Sequence, residues 1–111
     1  MADETTGPWL PLTPGEVARI PERTGVFELA GGDERVLFVG VAGRDASGGL
    51  RAELAKHAAV PTGGATLFRY ETTNRYRARW LELLREHKRT RGGVPPGNRL
   101  QHLPPDLRQR A

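Results

Sequence analysis

The chain has no cysteine among its 111 residues. That excludes disulfides, a thiolate nucleophile and any cysteine-ligated metal. Aromatic residues are few, with three Phe, two Tyr and two Trp. No apolar run approaches the roughly 20 residues a membrane-spanning helix requires, so no membrane partner is expected. The first thirty residues lack the basic start, apolar stretch and cleavage site of a secretory leader, and a cytoplasmic location is the expectation. His57, His87 and His102 do not stand at metal-ligand spacing, so neither a metal nor another cofactor is expected.

A chain of this length supports one modest domain, burying roughly two-thirds of its unfolded surface. Its charge is unevenly spread. Residues 1–50 hold 4 basic against 8 acidic side chains, whereas residues 51–111 hold 13 against 5. A basic half of this kind suits a polyanionic partner, or is simply a solvated face.

Glycine and proline punctuate the chain. Residues 1–12 are polar, then proline-rich, and read as an extended segment. Thr13-Pro14-Gly15-Glu16 carries a capping residue, a proline suited to the first helical position and a capping-box acid, predicting a short helix over 14–19. Two strands follow at 25–30 and 35–40, joined by a glycine-rich turn. Residues 50–58 have helical spacing, with Leu50, Leu54 and His57 on one face. Residues 65–72 alternate as a third strand. Asn74 is placed to cap a long helix over 74–90, whose stripe is Tyr76, Trp80, Leu83, Leu84 and His87 and which Gly92-Gly93 ends. The expected fold is α+β: a small three-stranded antiparallel or mixed sheet with flanking helices, spanning 13–98, and an extended tail over 99–111.

The two strands begin with Gly25-Val26-Phe27 and end with Phe38-Val39-Gly40. Val41-Ala42, "LRAEL" at 50–54, His57, "FRYETT" at 68–73, "YRARWLELLREH" at 76–87 and "PPGN" at 95–98 follow in order. This series resembles the GIY-YIG nuclease superfamily over about residues 21 to 98, and looks closest to its short single-domain members. The resemblance implies metal-assisted phosphodiester hydrolysis: a Gly-x-Tyr and Tyr-x-Gly pair with a tyrosine near the attacking water, an arginine at the phosphate, a glutamate on one divalent cation, and an asparagine that steadies the site. In this chain the tyrosine positions hold Phe27 and Phe38, which have no hydroxyl. The arginine position holds Glu53 and the metal-binding position holds Trp80, whose indole offers only an N–H. Asn98 alone is retained. The resemblance therefore implies a scaffold kept without its catalytic set, with Phe27, Phe38 and Trp80 turned to packing.

Arg75, Arg79, Glu82, Glu86 and Arg89 share one helix face with alternating sign, as a salt-bridged surface does. Lys88, Arg89, Arg91 and Arg99, with Arg108 and Arg110, form the candidate basic patch. In the tail, Leu100, Leu103 and Leu107 lie on either side of Pro104-Pro105 and read as anchors on an extended, proline-stiffened segment that docks on a partner. The function expected first is thus a catalytically inactive binding or structural subunit of a larger assembly, held to a protein partner by its termini and basic half. The alternatives are a non-catalytic nucleic-acid-binding domain and a metal-dependent endonuclease with a rebuilt site.

Overall fold

The computed structural model describes residues 7–45, 47–99 and 102–108. Leu10–Pro11 is a two-residue strand, β1, and a one-turn helix, α1, follows at Pro14–Val17. The hairpin is β2 at Gly25–Ala30 and β3 at Val36–Ala42. Then come α2 at Gly49–Ala59, β4 at Leu67–Thr72, the long α3 at Tyr76–Arg91 and a second one-turn helix, α4, at Pro105–Arg108. The fold is α+β, with one antiparallel sheet in the order β1-β4-β2-β3. It has four strands rather than three, because Leu10 and Pro11 pair with Phe68 and Leu67. Part of the expected N-terminal extension is therefore sheet, and Leu12 behind it is buried.

Every residue of β2 is buried, although its sequence alternates. The strand is central and both its faces are covered. Phe27 and Leu29 enter one cluster with Val17, Ile20, Leu50, Leu54 and Phe68, under α1 and α2. Val26 enters the other with Val39, Trp80, Leu84, Leu103 and Leu107, under α3 and α4. Glu28, on β2, is admitted to this interior by Arg69 directly across on β4, at 2.7 Å. Arg69 in turn lies 4.1 Å from the Trp9 ring centroid, so its charge is answered on two sides.

Helix ends follow local chemistry. The Thr13 hydroxyl accepts from the Glu16 amide at 3.2 Å, as its sequence position predicts. Gly92 closes α3 in the left-handed conformation, with φ 83°. Asn74 does not cap α3. Its neighbour Arg75 is the capping residue, and the Thr73 hydroxyl takes the Arg75 amide at 3.0 Å.

The tail departs most from expectation. Leu103 and Leu107 are 5% and 2% exposed, packed on the domain's own second cluster. Pro105 opens α4 instead of preventing a helix, because the first helical position donates no intrahelical hydrogen bond. Residues 103 and 107 are thus not free docking anchors, and Leu100 lies outside the described residues. Among the described residues no helix is long and apolar enough to cross a membrane.

Candidate functional site

Phe27 on β2 pairs with Gly40 on β3. A Cβ on Gly40 would lie 2.2 Å from the tip of the Phe27 ring, so the ring lies across the neighbouring strand only because residue 40 is glycine. Gly25 is held the same way: a Cβ there would lie 2.2 Å from the Glu71 carbonyl oxygen on β4. The glycines of both triplets are therefore required by close approach.

Three rings gather beside this crossing. Phe27 and Phe38 have centroids 6.0 Å apart, and His57 of α2 lies 5.6 Å from the first and 5.0 Å from the second. His57 Nδ1 is 2.9 Å from the Thr62 hydroxyl. Burial holds the His57 pKa below its ordinary 6.5, with Glu53 opposing and Lys56 assisting. The ring is consequently neutral at pH 7. Glu53, one turn earlier on α2, binds Lys56 at 3.1 Å.

The opposite wall comes from α3 and the segment after it. Trp80 is 8% exposed, and its Nε1 donates to the Val39 carbonyl at 3.0 Å. Asn98 Nδ2 donates to that same carbonyl at 2.9 Å, while its Oδ1 accepts from the Val39 amide at 2.9 Å. The Gly97 amide donates to the Leu37 carbonyl at 2.7 Å. These bonds satisfy the outer edge of β3, which no further strand covers among the described residues.

Phe27, Phe38, Glu53, Trp80 and Asn98 are far apart in sequence, yet all five line one cleft of about 440 Å³. His57, Thr62 and the exposed Arg99 and His102 line it too. Three of its polar groups are engaged: the indole N–H and the asparagine amide serve β3, and Glu53 serves Lys56. Among the described residues no three His, Asp or Glu side chains come together in a way that would hold a metal ion. Phe27, Phe38 and Trp80 bring neither hydroxyl nor carboxylate to the cleft, and the Thr62 hydroxyl on its wall is taken up with His57 Nδ1.

A family model described as a domain of unknown function, DUF7508, matches residues 4–90. The chain belongs to the DUF7508 family. Comparison with curated proteins returns no match. The DUF7508 match takes in all four strands, α1, α2 and nearly all of α3, hence Phe27, Phe38, Glu53 and Trp80, while Asn98 and α4 lie beyond it.

The expected basic patch of this DUF7508 chain is divided by the structure. Lys88 Nζ donates to the Asp106 carbonyl, and Arg89 is paired with Glu86. Arg91 and Arg99 have no ion pair among the described residues, but they line different cavities. Arg91 lies on a second cavity, of about 590 Å³, with Arg35 and Arg108. The two cavities meet at Asn98, which lines both. Sequence reasoning included Arg108 and missed Arg35. Arg35 sits in the acidic half of the chain, beside Asp33 and Glu34, so its neighbours in sequence disguise its neighbours in space.

Proposed function

We propose that this DUF7508 chain is a non-catalytic, GIY-YIG-like domain that binds nucleic acid. The observation that carries the reading is the pair of cavities meeting at Asn98. Around them Arg35, Arg91, Arg99 and Arg108 are exposed and without ion pairs among the described residues. Guanidinium forks left free beside a groove suit phosphate oxygens. Elsewhere Arg51, Lys56, Arg69, Arg79, Arg85 and Arg89 each hold a carboxylate, and the other arginines without an ion pair among the described residues, Arg19, Arg23, Arg44, Arg75 and Arg77, line neither cavity. The motif positions support binding without hydrolysis, since Phe27, Phe38 and Trp80 supply neither hydroxyl nor metal-ligating oxygen.

The accessory-subunit reading has less behind it. Leu103 and Leu107 are consumed by the domain itself, and Val60 is the one large hydrophobic left exposed among the described residues. A contiguous apolar patch, the usual mark of a stable protein interface, would need more. A reducing compartment such as the cytoplasm fits a chain without cysteine.

Fluorescence anisotropy with labelled single- and double-stranded oligonucleotides tests the reading. Binding should weaken with salt at a log–log slope of about −0.7 to −0.9 per phosphate contact, and each of Arg91→Gln and Arg99→Gln should flatten it by about one. The oligonucleotide should remain intact with Mg²⁺ or Mn²⁺ present. Absence of binding at about 50 mM salt overturns the reading, and cleavage that is lost in Asn98→Ala overturns its non-catalytic part.

A further inference from the structure

The 590 Å³ cavity is built differently from the aromatic cleft. Three arginines reach it from three elements: Arg35 precedes β3, Arg91 ends α3 and Arg108 ends α4. Among the described residues no carboxylate lines it. The acids nearest on the same helices are engaged elsewhere, Glu86 by Arg89 and Asp106 by Arg85. His87 lends no acceptor through Nδ1, which must carry its proton to donate to the Gly93 carbonyl at 2.7 Å.

Three arginines thus line one concavity with nothing of opposite sign among its described lining residues. The C-terminal end of α3 answers about half a charge, against a formal +3. Like charges gathered at a concave wall repel one another, and the same geometry focuses their field on whatever enters. Val36, Val94, Pro95 and Leu107 supply apolar wall beside the arginines, and His87, Gly92, Gly93 and Asn98 complete it. The volume falls within the range of about 300–1,000 Å³ typical of small-molecule sites, more than a bare oxyanion fills.

We propose that this cavity takes a phosphomonoester with its attached nucleotide, the phosphate held by Arg35, Arg91 and Arg108 and the remainder lying against Val94 and Pro95. This rests on the nucleic-acid reading above and sharpens it, because a phosphomonoester occurs at the phosphorylated end of a strand. A terminal phosphate carries close to two charges at neutral pH and leaves three oxygens open, which three forks can surround. An internal phosphodiester carries one charge, and the strand leaves it in two directions. A free mononucleotide presents the same group, and the test separates the two sources.

The full chain is titrated calorimetrically at low salt with adenosine 5′-monophosphate, with adenosine, and with one short single strand bearing either phosphate or hydroxyl ends. The monophosphate should bind tighter than adenosine by about tenfold or more, and the phosphorylated strand tighter than its hydroxyl-ended twin by a similar factor. The joint variant Arg35→Gln, Arg91→Gln, Arg108→Gln should erase both preferences. Should that variant fail to fold, amide spectra of the wild type titrated with the monophosphate decide. Shifts centred on Gly92, Gly93 and Val94 uphold the site, and shifts centred on Phe38 and His57 overturn it. Equal affinity for phosphorylated and unphosphorylated ligands, or a preference surviving in a folded joint variant, also overturns it. A strand bound whatever its ends, with steep salt dependence, removes this site and leaves the nucleic-acid reading standing. A monophosphate preference with no strand binding keeps the site, assigns it a free nucleotide and removes that reading.

Discussion

The Val39 carbonyl accepts from Trp80 Nε1 at 3.0 Å and Asn98 Nδ2 at 2.9 Å, and the Val39 amide donates to Asn98 Oδ1. Asn98 thereby acts as a one-residue strand on the edge of β3. Asn98→Ala leaves the Val39 amide unpaired where water has little access, and should cost about 2–4 kcal/mol in denaturant unfolding. Asn98→Asp keeps the acceptor but sets a carboxylate against the Val39 carbonyl, raising the pKa of that carboxyl. The folded state then binds the proton more tightly than the unfolded one, so this variant should regain stability as the pH falls. Trp80→Ala removes both a bond and a buried ring, at about 3–5 kcal/mol, and Trp80→Glu should be at least as costly because it buries an unpaired charge. His57 has the opposite linkage. Burial lowers its folded pKa below 6.5, so the unfolded chain takes up the proton first. Stability should therefore fall as pH drops below about 6.5 until the folded ring also titrates. The melting temperature of His57→Gln, followed over the same range, should lack that component.

Four-residue helices do not persist alone, and α4 is held by what it packs on. Leu103 and Leu107 are buried, Asp106 binds Arg85 at 3.2 Å, and Lys88 reaches the Asp106 carbonyl. Residues 102–108 are accordingly part of the domain. Leu107→Ala should cost about 2–5 kcal/mol, and ending the chain at Gly97 should lower the melting temperature of the isolated protein. The Leu107 amide, which donates to Pro104 at 2.9 Å, should show exchange protection in the monomer. Wild-type melting after truncation would show α4 to be dispensable. That Leu103 and Leu107 of this element would seek burial was legible in the sequence, where they read as anchors on an extended segment. Its helical start was not, because Pro104-Pro105 reads as a break until the position of Pro105 within the turn is known.

Two apolar clusters lie on opposite faces of one sheet, and β2 contributes to both through alternate residues. Neither cluster keeps a wall if β2 leaves. Unfolding should therefore be a single transition, with tryptophan fluorescence and far-ultraviolet dichroism changing together. Two separated midpoints would mean that the α3–α4 face melts on its own. The charges divide on the same plan. Carboxylates take Arg69 on the sheet, Arg51 and Lys56 on α2 and Arg79, Arg85 and Arg89 on α3, while Arg35, Arg91, Arg99 and Arg108, around the cavities that meet at Asn98, have no ion pair among the described residues.

Strand alternation and helical spacing act between residues two to four apart, so the sequence by itself determined the α+β class, the hairpin, the long helix with Trp80 and Leu84 inward, and the helix end at Gly92. It also pointed to Phe27, Phe38, Glu53, Trp80 and Asn98, through an ordered series of short motifs. Glu28 shows where that reach stops. Alternation sends it toward solvent, and only its register opposite Arg69, with Trp9 laid over that arginine, makes its burial tolerable. Tertiary structure alone decided that Asn98 is spent on the backbone of Val39, that the tail closes the second cluster, and that Arg35, Arg91 and Arg108 share a wall. Those outcomes depend on strand order and on which face each helix covers, and no local period in the chain encodes them.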